Sequence, residues 1–131
     1  MTVFLCTNCR QPITTQLVLG EPLRGPERPA GNEIAPPRMV QGTYKLNYNS
    51  SLWIVHPDDV PGAALHPDAR RLNGCCGLSG QDGPNLVCAN CGEEVATKES
   101  DCWTDNLVAL ITSAVLEEPT ASEAHRPGPG D

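Results

Sequence analysis

Hydrophobic and polar positions alternate, in part, over several short runs of the chain, and strand-forming residues cluster in them. Thr2 to Leu5 is β-branched and aromatic and reads as a strand, and Pro12 to Leu19 is rich in strand formers with partial alternation. Tyr44–Tyr48 and Ser51–Val55 each read as a strand, and the turn signal at Asn49-Ser50 predicts that they form a hairpin. Glu93 to Thr104 alternates more loosely, through Val95, Thr97, Ser100 and Trp103. Asp105 to Glu118 is ambiguous. Leu107, Leu110, Ile111 and Leu116 fit one helical face with Asp105 as cap, while Leu107 to Ile111 equally fits a buried strand. The reading favoured is a strand running into a short helical turn.

Proline and glycine mark what lies between. Gly20 to Gly42 contains Pro22, Pro26, Pro29, Pro36 and Pro37 with four glycines, which no helix or central strand absorbs. It reads as a long loop. His56-Pro57-Asp58 recurs as His66-Pro67-Asp68, and a proline before a short acidic residue is turn chemistry. Gly74 to Pro84 holds four more glycines and is a loop whose backbone can approach another group closely. Residues 119–131 lack any large apolar side chain and contain three prolines, so the expected organisation is one domain over 1–118 followed by a disordered tail.

Cysteine usage changes this picture most. Five of the seven cysteines fall between Asn73 and Thr104, where Cys88-Ala-Asn-Cys91-Gly92 matches Cys6-Thr-Asn-Cys9-Arg10 near the N-terminus. Two cysteines two residues apart in a tight turn direct both sulfurs at one ion, and two such turns complete a tetrahedron. Gly92 suits a turn that needs positive φ. Cys6, Cys9, Cys88 and Cys91 are therefore expected to hold one structural zinc ion (Zn2+) in a closed site, with no open position to activate water. Disulfides fit poorly, because seven is odd and no secretory leader is visible. With four thiols available, His56 and His66 are not needed as ligands and read as surface loop residues. Cys75, Cys76 and Cys102 stay open between buried small hydrophobes, replacements for the assigned ligands, and a thiol set for redox chemistry or a second metal.

At 131 residues and 39% hydrophobic, the chain can build one modest core, and with only 4% aromatic residues that core gains from a metal staple. A net charge of −7 excludes a general nucleic-acid binder, which needs a basic face. No stretch approaches the ~20 apolar residues of a membrane span. The expected location is the reducing cytoplasm, where thiols stay available to metal.

The order knuckle, strand, long excursion, knuckle, strand, carried by Cys6, Cys9, Cys88 and Cys91 over roughly residues 1–112, resembles the β-tent group of zinc folds. That group includes the thalidomide-binding domain of cereblon, the Yippee proteins and the type B methionine sulfoxide reductases. The resemblance implies an all-β, zinc-ribbon-like domain that binds ligands away from the metal. Cereblon-type domains use three tryptophans as a cage, whereas this chain has Trp53 and Trp103, so a cage needs Tyr44 or Tyr48 as a further wall. Packing of both tryptophans in the core is the competing role. The reductases place a nucleophilic cysteine beyond the second knuckle, between an arginine and an asparagine; Cys102 sits instead in Ser-Asp-Cys-Trp-Thr, without either partner. The leading expectation is a non-catalytic binding module for a small molecule or partner protein, with loop 77–84 and the Trp53/Trp103 region as its surface. The rivals are a thiol oxidoreductase using Cys102 with Cys75 or Cys76, and a purely structural interaction module; the oligomeric state stays open.

Overall fold

The computed structural model describes residues 1–23, 37–47, 52–74, 77–101, 104 and 106–119. Among these residues nine strands follow one another: β1 (Thr2–Cys6), β2 (Val18–Leu19), β3 (Thr43–Asn47), β4 (Leu52–Val55), β5 (Ala63–Leu65), β6 (Leu86–Cys88), β7 (Glu94–Glu99), β8 (Leu107–Leu110) and β9 (Val115–Pro119). Two single turns of 3-10 helix, Pro57–Asp59 and Ala69–Arg71, are the only helical elements among the described residues. The fold is all-β.

Seven strands form one sheet in the order β2-β3-β4-β8-β7-β6-β5, antiparallel except for β2 beside β3. The predicted hairpin is present as β3–β4, with Tyr44 opposite Val55 and Leu46 opposite Trp53. Residues that face each other across antiparallel strands share a face. Tyr44, Val55 and Val108 therefore lie on one side, and Ile54 and Ala109 on the other. The first side is the inner one. A separate ribbon of β1 and β9 covers it, and Phe4, Ile13, Leu17 and Val115 pack there with Tyr44, Val55, Leu86, Val108 and Leu110. The outer side carries a smaller cluster of Met39, Ile54, Leu107 and Ala109. Phe4 is fully buried, which contributes roughly 1.5–3 kcal/mol.

Both histidines of the repeated His-Pro-Asp triplets use Nδ1 to accept the backbone N–H two residues on, from Asp58 and from Asp68. The side chains are only 14% exposed, so they are turn-locking groups rather than the surface residues expected.

Two other expectations are corrected. Pro12 to Leu19 is a strand only at Val18–Leu19; before that, Pro12 and Leu17 make single bridges to β1. Pro12 has no N–H to donate, and the Thr14 hydroxyl accepts the Phe4 N–H in place of a ladder carbonyl. Residues 105–118 end not in a helical turn but in β9, reached by a tight turn closed by Ala114 N–H to the Ile111 carbonyl at 2.9 Å. The strand half of that reading is present as β8; its spacing also fits a helical face because all four residues of β8 are buried, two on each face, which leaves a continuous apolar run with no strand period. Strands β5 and β6, three residues each, were not foreseen, being too short for alternation to register.

Beside β6, Asn85 is fully buried, and its side chain replaces a stretch of ladder. Its Nδ2 donates to the Lys98 carbonyl at 2.9 Å, and its Oδ1 accepts the Lys98 N–H at 2.7 Å. The pairing of β6 and β7 slips by a residue at Leu86/Val87, and the amide completes the strand end that this bulge leaves open.

Candidate metal centre

Each knuckle opens on the last residue of a strand. Cys6 ends β1 and Cys88 ends β6, and the same bonds fold both turns. The Arg10 and Gly92 N–H groups each donate to the carbonyl of the knuckle's first cysteine at 2.8 Å. The first cysteines return the bond outward, Cys6 N–H to the Gln11 carbonyl at 2.9 Å and Cys88 N–H to that of Glu93 at 2.8 Å. Such a turn needs its fifth residue at positive φ. Gly92 takes φ 84° without strain, whereas Arg10 at φ 67° sits in the left-handed region at a cost of roughly 1–2 kcal/mol.

Neighbouring turns brace the second residue of each knuckle. Thr7 N–H donates to the Ala114 carbonyl at 3.0 Å, in the turn between β8 and β9. Ala89 N–H donates to the Gly62 carbonyl at 2.8 Å, and Gly62 N–H in turn donates to the Ile13 carbonyl at 2.9 Å. Gly62 thus ties the second knuckle to the segment that follows the first. A Cβ there would overlap the Pro12 carbonyl oxygen and lie 2.8 Å from Ile13 Cα, so only glycine fits.

The four sulfur atoms meet within 4.8 Å of one another. Two separations cross between the knuckles: Cys6 Sγ to Cys91 Sγ and Cys9 Sγ to Cys88 Sγ are both 3.6 Å. A tetrahedron with Zn–S bonds of about 2.3 Å has edges of about 3.8 Å, so a four-coordinate thiophilic ion matches the spacing. Cys6 and Cys88 are buried, and Cys9 and Cys91 are partly exposed.

The environments of the thiols divide accordingly. Burial pushes the Cys6 thiol up to about 11. The Asn90 side chain, followed by the Gln11 backbone, draws Cys9 down to about 6. Cys91 is lowered too, chiefly by the Asn8 side chain and then by the Glu93 backbone. Each asparagine thus crosses to the outer thiol of the opposite knuckle, where its N–H groups favour a thiolate. The thiol that burial keeps protonated must lose its proton when a cation enters, and binding is coupled to proton release. Four thiolates would saturate a tetrahedral ion, leaving no position for substrate.

The other candidate residues divide in two. Tyr44 and Trp53 do come together, their ring centroids 5.6 Å apart, and both lie 5.3 Å from Phe4. Tyr44 is only 5% exposed and its hydroxyl donates to Glu117 Oε2 at 3.1 Å. These rings therefore pack against one another in the core. Trp103, Cys75, Cys76 and Cys102 lie outside the described residues, as do Tyr48 and the Asn49-Ser50 turn.

What the sequence reading left without a role is the third residue of each knuckle. The signal was present: asparagine stands at that place in both, as Asn8 and Asn90. The part of Gly62 was not readable, since it depends on two segments distant in the chain. No protein-family model matches the chain, and neither a curated protein nor a solved structure matches it.

Proposed function

We propose that the chain is a zinc-stabilised, non-catalytic binding module of the zinc-ribbon-like β-tent kind, acting on a small molecule or partner protein in the reducing cytoplasm. The observation that carries it is the meeting of four thiols within 4.8 Å, two from each of two matching turns. Zinc is the ion of choice because four thiolates in a tetrahedron suit it, and because a structural ion supports a core poor in aromatic side chains. A closed site directs function away from the metal and onto the sheet that the metal holds together. Among the described residues no helix is long and apolar enough to cross a membrane.

The test is metal content by elemental mass spectrometry with a count of reactive thiols, before and after a chelator. The expected result is one zinc per chain, with four thiols shielded until chelation. A native protein without metal would refute the reading.

A further inference from the structure

The β1–β9 ribbon does not cover the whole inner face. At the β5 end of the seven-stranded sheet an open cavity of about 210 Å³ remains, lined by Pro57, Val60, Ala63, Ala64, Leu65, Leu86 and Lys98. Its walls come from the first 3-10 turn and from β5, β6 and β7. Leu65 is opposite Leu86 and Leu86 is opposite Ala96, so the floor continues the buried core, with Leu86 5% and Ala96 0% exposed.

One lining residue breaks this apolar pattern. Lys98 lies two residues after Ala96 on β7 and opposite fully buried Val108, which puts it on the same inner face. Its backbone is held by Asn85, but no carboxylate among the described residues pairs with its ammonium. The acid at the start of the same strand, Glu94, is already engaged by His66 Nε2 at 2.9 Å and Arg71 at 3.1 Å. His66 Nδ1 accepts a backbone N–H, so the neutral ring carries its proton on Nε2 and donates it to Glu94. In a chain of net charge −7, a lysine lining this recess with no carboxylate partner among the described residues is a point of complementarity for an anion.

We propose that this recess binds a small organic carboxylate, with the Lys98 ammonium on the carboxylate and a short apolar body against Val60, Leu65 and Leu86. The volume falls below the roughly 300–1,000 Å³ of pockets for drug-sized ligands, which limits the ligand to about the size of benzoate. The proposal supplies a ligand class for the binding module proposed above and rests on that reading for its frame.

The experiment titrates the metal-loaded full chain with benzoate and, separately, with neutral benzamide, following backbone amide shifts, with metal content measured on the same samples. Saturable benzoate shifts centred on Val60, Leu65 and Lys98 are expected. Lys98→Met should keep the stem and the metal yet weaken benzoate at least about tenfold, because a hydrogen bond to a charged group is lost. Lys98→Arg should retain binding, and Val60→Trp should block the recess. Benzamide binding as tightly as benzoate, or full benzoate affinity in Lys98→Met, overturns the proposal. So does the absence of saturable binding by a protein that holds its metal; absence of metal instead overturns the zinc reading.

Discussion

The side-chain amide of Asn90, in the second knuckle, lies close enough to Cys9 in the first to draw that thiol down to about 6. Asn8 acts reciprocally on Cys91 and lowers it. The two turns are thus coupled electrostatically by side chains that would not themselves ligate an ion, and groups in that position tune the charge and orientation of ligands.

Removing one of these amides should loosen the metal without abolishing the fold. Asn8→Ala and Asn90→Ala are each expected to weaken metal binding about 10–100-fold, read by competition with a chromogenic chelator. Asn90→Asp should weaken it more than Asn90→Ala, because a carboxylate beside a thiolate is repelled. Unchanged affinity in all three variants would remove the asparagines from the centre.

Gly62 links the two knuckles through backbone bonds to Ile13 and Ala89. Because an added Cβ meets backbone rather than a movable side chain, Gly62→Ala should cost about 1–3 kcal/mol in chemical denaturation and lower metal affinity in parallel. Loss of stability at full metal affinity would show that Gly62 serves only its own turn.

Asn85 satisfies both backbone groups of Lys98 from a fully buried position. Asn85→Ala leaves a donor and an acceptor unmet, and a loss of about 2–4 kcal/mol is expected. Asn85→Asp keeps an acceptor for the Lys98 N–H but loses the donor to its carbonyl, so it should not restore stability. Denaturant midpoints of the three proteins decide the matter.

Burial raises the Tyr44 phenol above its ordinary value, and the neighbouring Glu117 carboxylate adds to the shift. A raised native value means that the folded state favours the neutral phenol. Its contribution is therefore complete below about pH 10, the unfolded value, and is lost as pH rises through the higher native one. Tyr44→Phe should lower stability near neutrality by about 1 kcal/mol, through the bonds to Thr2 and Glu117, and should flatten the alkaline limb of the stability curve. An alkaline limb identical to that of the parent would contradict the assignment.

Chelation should collapse the β signal of circular dichroism cooperatively, because in a small domain the free energy of metal binding is folding free energy. Cys88→Ser should reproduce that state without chelator. A chelated protein with an unaltered spectrum would leave the ion, if present, without a structural part.

The sequence by itself determined the pieces governed by neighbours a few residues apart. Two C-x-N-C turns were legible because their spacing and the glycine after Cys91 are local requirements, and the β3–β4 hairpin because strand formers flank a turn signal. The all-β class followed from those runs. Tertiary structure decided what depends on partners remote in the chain. β9 pairs with β1 at the opposite end of the sequence, so the last strand could not be told from a helical turn by its own residues. Burial on both faces erased the period of β8. Tyr44 and Trp53 pack on Phe4 because the β1–β9 ribbon brings that ring down onto the inner face. The same ribbon stops short of β5, which leaves a recess beside Lys98 that no local pattern announces.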